Sequence, residues 1–157
     1  MSLEHLITDR TSDDVDRVKN LAKKAWQDMT AEERAEWKSS MKGAYNYTDM
    51  NRVEEAVAYV ADMLRQYSYL SITLEVRSWS ENDIPTADDF ARYFNNIAIL
   101  RRAIPVWEDT PTAPSSTGGF GVTEANALEQ ILVDIDQILS HARDAWFASN
   151  ELYSGEV

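Results

Sequence analysis

The chain has 157 residues, with 15 Lys and Arg against 27 Asp and Glu, a formal net charge of −12, no cysteine and two histidines. That composition excludes a disulfide framework, a thiolate metal site, a cysteine nucleophile and a multi-histidine zinc centre. The length suits a single helical domain over residues 1–157, and 5 Trp, 7 Tyr and 4 Phe supply the apolar faces for a core.

Five helices are expected, each opened by a threonine with an acidic or amide residue three positions on. The pairs are Thr11 with Asp14, Thr30 with Glu33, Thr48 with Asn51, Thr86 with Asp89 and Thr123 with Asn126. Such a threonine accepts from a free N–H of the first turn, and the residue at the third position answers the cap. The first helix is expected over about residues 12–28, because Val15, Val18, Leu21, Ala22, Ala25, Trp26 and Met29 recur at helical spacing. The second carries Trp37 and Met41, with Gly43 placed as its left-handed stop. The third shows Val53, Ala56, Val57, Val60, Met63 and Leu64 on one stripe. Residues 71–77 alternate apolar with polar, so one short strand or hairpin is expected near residues 67–77. Its partner would be Tyr67-Ser68-Tyr69, Leu6-Ile7 or the same segment of a second copy.

The fourth helix faces inward through Phe90, Tyr93, Phe94, Ile97, Leu100 and Ile104, and Pro105 closes it. Residues 105–122 read as a loop or linker before the last helix, since proline and glycine oppose both helix and strand. Helix five carries Leu128, Ile131, Leu132, Ile135, Ile138, Leu139, Ala142 and Trp146 on one side. That stripe either covers the core of its own subunit or packs on another copy, which makes a homo-oligomer possible. The fold class is therefore mainly α: about five helices in an irregular bundle, with Trp26, Trp37, Val57, Phe94 and Ile135 sharing one core. No internal repeat or low-complexity tract is evident.

The charge is unevenly placed. Residues 1–70 hold 10 basic and 13 acidic residues (−3), and residues 71–157 hold 5 and 14 (−9). Nucleic acid and anionic membranes are disfavoured as partners, because both need basic clusters. Residues 1–6 carry no basic region ahead of an apolar run, and no stretch reaches the roughly 20 apolar residues of a membrane span, so neither an export signal nor a transmembrane helix is expected.

Catalytic patterns are equally sparse. Glu32-Glu33-Arg34-Ala35-Glu36 has the paired glutamates of a helical magnesium site, yet no matching Glu-x-x-Asp follows on a later helix, and Glu33 is better read as the answering residue of the Thr30 cap. Asp134 and Asp136 diverge by about 200° on a helix and share no ion. His141 has Asp144 three residues on, but Ser140 beside it does not face the same way; His5 lies near the terminus, and Gly118-Gly119-x-Gly121 lacks the lysine and the preceding strand of a phosphate loop. Hence neither catalytic residues nor a cofactor is expected.

Residues 41–54 are different, because the connection they form is rich in Tyr and Asn, which offer flat apolar area with polar tips. Tyr45, Asn46, Tyr47, Asp49, Asn51 and Arg52, together with Trp79, are the candidate interaction residues. Against this stands a structural role, with Tyr45 under helix three and Tyr47 as the first residue of a hydrophobic staple.

Three blocks carry a resemblance: Leu6-Ile7-Thr8-Asp9-Arg10-Thr11, residues 41–54, and Asp83-Ile84-Pro85-Thr86 with Tyr93-Phe94-Asn95-Asn96. Across about residues 6–140 the chain resembles a small module common among prophage structural proteins of Gram-positive bacteria, found near tail, baseplate or fibre components. Gly43-Ala44-Tyr45-Asn46-Tyr47-Thr48-Asp49 is the most specific element. The resemblance implies a virion-associated or assembly role, often as one part of a longer tail protein. It also implies other phage structural proteins as partners, and a place in the virion or, before assembly, in the bacterial cytoplasm. The rival from another class is an acidic decoy that binds a basic partner, which requires its carboxylates on one face.

Overall fold

The structure, a computed structural model, describes residues 3–68 and 70–154. Among them are five α-helices: α1 (Ser12–Ala22), α2 (Ala31–Lys38), α3 (Tyr47–Ser68), α4 (Ala87–Ala103) and α5 (Val122–Ser154). Helices α3, α4 and α5 pack on one another, and α1 packs on α2. The apolar stripes decide this arrangement: Val53, Val57, Val60 and Leu64 of α3 meet Phe94, Ile97 and Leu100 of α4 and Leu128, Ile131, Leu132, Ile135 and Leu139 of α5 in one core.

The threonine signals divide into two groups. Thr11, Thr30 and Thr86, whose partners are acidic, form reciprocal capping boxes with Asp14, Glu33 and Asp89. Hydrogen bonds from the Thr11 backbone and side chain hold the Asp14 carboxyl below its ordinary pKa, and the Thr86 backbone and side chain do the same for Asp89. Thr48 and Thr123, whose partners are amides, lie inside their helices, each of which begins one residue earlier. Asn46 and Gly121 stand at those starts instead. Their backbone N–H groups donate to Asp49 Oδ2 at 3.0 Å and Glu124 Oε2 at 2.9 Å, leaving Asn51 and Asn126 free for other work.

The first helix stops at Ala22, short of residue 28, and a single 3-10 turn (Trp26–Asp28) leads to α2. Trp26 and Trp37 are 46% and 39% exposed, so the shared core holds Val57, Phe94 and Ile135 but neither tryptophan. The physical reason lies in α2: Arg34 and Lys38 stand 5.5 and 5.2 Å from the Trp26 ring, so cations rather than apolar side chains cover it. Gly43 is not the left-handed stop of α2, which ends at Lys38 with the extended Ser39. It permits a close approach: a Cβ there would lie 2.1 Å from the Asp14 carbonyl oxygen and 2.6 Å from the Val15 nitrogen. Gly43→Ala should therefore push α1 off the connection and cost about 1–3 kcal/mol in urea unfolding, the usual range for overpacking.

No strand forms among the described residues of 67–77; Tyr69 lies outside them. After α3 ends at Ser68 the segment has no regular structure, and side chains take some of its backbone groups in place of a partner strand. Arg65 Nη1 donates to the Ile72 carbonyl, Arg92 Nη1 and Asn96 Nδ2 donate to the Glu75 carbonyl, and Asn51 pairs with Trp79. Residues 104–121 form a similar strap, laid on the core through Ile104, Val106, Ala113 and Phe120. Helix α5 is thus docked and its stripe lies in its own core; Ala142 is exposed, and the Trp146 side chain lies outside the described residues.

The helices also disclose an internal repeat that periodicity alone does not. Thr11, Asp13, Asp14, Arg17 and Asn20 recur 75 positions later as Thr86, Asp88, Asp89, Arg92 and Asn95. At the same offset Gly43, Thr48, Asn51, Glu54 and Leu64 recur as Gly118, Thr123, Asn126, Glu129 and Leu139. The equivalent Tyr45 and Phe120 meet edge to face with centroids 5.2 Å apart, as residues beside a two-fold axis do. Where no repeat is expected, ten identities thus recur at one offset: some serve caps, clasps and core positions, others such as Asn20 and Asn95 are exposed, and the intervening residues have diverged.

Candidate functional site

Two extended segments are fastened to helices by the same device. In α5, Asn126 accepts from the Arg10 N–H at 3.0 Å and donates to the Arg10 carbonyl at 2.9 Å. In α3, Asn51 accepts from the Trp79 N–H at 2.7 Å and donates to the Trp79 carbonyl at 2.8 Å. Each amide thus satisfies both backbone groups of one extended residue, as a neighbouring strand would. One helical turn on from each asparagine stands a buried glutamate that receives the clasped residue's side chain: Glu129 for Arg10, and Glu54 for Trp79 through its indole Nε1 at 3.4 Å.

The straps cross. Residues 3–10 of the first half are clasped by α5 of the second, and residues 70–80, ahead of the second half's α4, are clasped by α3 of the first.

At the first clasp lies a buried ionic clamp of Arg10, Asp49, Arg52 and Glu129, two cations with two anions. Glu129, fully buried, fills its acceptor positions: Oε1 takes Arg10 Nη2 at 2.7 Å and Arg52 Nη2 at 2.9 Å, and Oε2 takes the Ile7 N–H at 2.6 Å and Arg52 Nε at 3.0 Å. Asp49, 2% exposed, receives both arginines on Oδ1 and the Asn46 N–H on Oδ2. Arg10 Nη1 donates to the Ile7 carbonyl at 2.8 Å. Its Nε is buried without an acceptor, while its guanidinium lies 5.4 Å from the Tyr45 ring centroid. Burial pulls the Arg52 pKa down, but its bonds to Glu129 and Asp49 outweigh that and raise it above the ordinary value. Beside the clamp, the Tyr45 and Tyr93 hydroxyls share a 2.6 Å hydrogen bond, and burial pushes both pKa values up, which keeps both phenols protonated.

The candidate interaction residues therefore lie mostly inside. Tyr45 and Asp49 serve the clamp, Arg52 bridges it, Asn46 opens α3, Asn51 clasps Trp79, and Trp79 is 5% exposed; Tyr47 is the exposed member, at 39%. The sequence reading of this stretch missed Arg10, Glu129, Asn126 and the Arg92–Glu54 pair at 2.6 Å. The repeated Thr-x-x-Asn-x-x-Glu at 48–54 and 123–129 is a signal for Glu54, Asn126 and Glu129, and no comparable pattern marks Arg10.

The acidic surface is thinner than the composition suggests. Glu129 and Asp134 are buried, and Asp83, Asp89 and Glu124 hold backbone N–H groups at turns and helix starts. Glu129 and Asp134 therefore add nothing to the exposed acidic face that a decoy needs. Among the described residues no three of His, Asp or Glu converge as metal ligands. An open groove of about 460 Å³ lies between Leu70, Ser71, Ile72 and the end of α4 at Ile99, Arg102 and Ala103. A hollow of about 100 Å³ lies among Val18, Trp37, Ser39, Met41, Ala44 and Asn46. No protein family, no curated protein and no solved structure matches this chain.

Proposed function

We propose that the chain is a non-enzymatic interaction module of a phage or prophage tail, baseplate or fibre, carried in the virion or held in the bacterial cytoplasm before assembly. The observation that carries the reading is a division of labour among its aromatic and polar side chains. Most of the conspicuous block at 43–54, with its repeat, closes the fold upon itself, whereas Tyr47 of that block and Trp26, Trp37 and Trp107 elsewhere are exposed. Exposed tryptophan and tyrosine on a clamped scaffold suit partner contact, because they offer large area at small entropic cost and dominate interface energetics. The resemblance to prophage structural modules supplies the context.

The test is to follow the tagged chain through particle assembly in an induced lysogen that encodes it. Its presence in gradient-purified particles or in tail intermediates is the expected result. Absence from both would remove the assignment.

A further inference from the structure

The two halves carry opposite corners. In the first, Trp26 stands exposed beneath Arg34 and Lys38, and Arg34 is fixed by donating to the carbonyls of Trp26 at 3.0 Å and Gln27 at 3.2 Å. Neither cation is in an ion pair among the described residues, although Lys24, Arg17 and Lys42 nearby in sequence all are. In the second half, positions 107–109, which correspond at the 75-residue offset to Glu32, Glu33 and Arg34, read Trp107-Glu108-Asp109. Trp107 is 39% exposed, and among the described residues no cation stands within ion-pair distance of either acid.

This second corner is held firmly. The Thr110 N–H donates to the Trp107 carbonyl at 3.1 Å, the buried Thr110 hydroxyl donates to Asp134 at 2.7 Å, and Arg101 holds the Thr110 carbonyl at 2.9 Å and that of Pro111. The turn therefore loses little freedom on binding. One corner offers an aromatic ring with two unpaired cations, and the other an aromatic ring with two unpaired anions. Within one chain both remain exposed, so neither satisfies the other.

We propose that these corners dock on each other between copies of this chain, with Trp107, Glu108 and Asp109 of one copy seated on Trp26, Arg34 and Lys38 of the next. The proposal rests on the reading of the chain as an interaction module and names one of its partners as itself. Charge complementarity selects the occupant: each charge that lacks a partner on one surface, Arg34 and Lys38 on the first and Glu108 and Asp109 on the second, finds its opposite on the other. The two unlike corners can pair twice about a two-fold axis, each meeting its opposite on the other copy, or once in a head-to-tail contact that builds a closed ring or an open row.

Sedimentation velocity on the full chain at low ionic strength tests this. Association that rises with protein concentration and falls with added salt is expected. Arg34→Glu with Lys38→Glu should abolish it, and so should Glu108→Lys with Asp109→Arg, each variant keeping its helical circular dichroism. Mixing the two variants should restore association, since each then offers what the other lacks. Trp107→Ala should weaken it by roughly thirtyfold, the scale of an interface hot spot. A parent chain that stays monomeric, variants that associate as the parent does, or a mixture that stays apart would each overturn the proposal. A monomeric chain that nevertheless enters particles would overturn only the self-docking, and the interaction module would stand with some other occupant.

Discussion

Replacing Glu129 with alanine should lower the unfolding free energy by about 3–5 kcal/mol, which for a chain of this size lowers Tm by roughly 6–20 °C. The carboxylate is fully buried and accepts four hydrogen bonds, three from Arg10 and Arg52 and one from the Ile7 backbone. Without it the buried Arg10 and the partly buried Arg52 share the single carboxylate of Asp49. The cost is mainly that of stranded charge rather than of lost attraction. Glu129→Gln keeps the shape and removes the charge, so it should recover only part of the loss. Replacing Arg10, Asp49, Arg52 and Glu129 together with apolar residues of similar volume should be far milder than Glu129→Ala, since no ion is left behind. Urea unfolding of the three variants checks the order, and a Glu129→Ala loss below about 1 kcal/mol would contradict the clamp.

Phe94→Ala should cost about 3–5 kcal/mol, the range for truncating a buried aromatic ring. Phe94 is 2% exposed, and its ring centroid lies 5.8 Å from that of Phe90, 5.9 Å from that of Tyr93 and 5.6 Å from that of Phe120. It joins α4 to the strap at 104–121, and through Phe120 to Tyr45 beside the clamp. Calorimetric unfolding of this variant alone and with Phe120→Ala measures that coupling. A loss from the pair clearly different from the two separate losses added together is expected for stacked neighbours.

Much of the fold is legible in local signals. Where a threonine is answered by a carboxylate three residues on, as at Thr11, Thr30 and Thr86, the helix start follows, because both halves of the cap lie within one turn of chain. The apolar stripes of α3, α4 and α5 likewise name their own buried faces. Asn51 and Asn126 occupy the answering position without serving it, because an amide there has a second use, and its clasped residue lies 28 or 116 positions away. The alternation of 71–77 has the period of a strand, yet its hydrogen-bonding partners are Arg65, Arg92 and Asn96 rather than another backbone. Trp26 shows the limit of periodicity: it falls on the apolar stripe of α1, but the helix ends at Ala22, before the stripe reaches it. Of the candidate site, residue identities were legible in Asp49, Asn51 and Arg52, but their inward direction was not, since Arg10 and Glu129 complete the clamp from opposite ends of the chain.

The crossed straps set a schedule for the newborn chain. Ile7 and Arg10 leave the ribosome ahead of their acceptor Glu129, which follows 122 and 119 residues behind. At about 5–20 residues per second that interval is roughly 6–24 s. All residues of α1, α2 and α3, Asp49 and Arg52 among them, are synthesised within it, so Arg10 can meet one anion of the clamp before the other exists. The first half is thus synthesised as an open clasp, and its closure is timed by translation of the second.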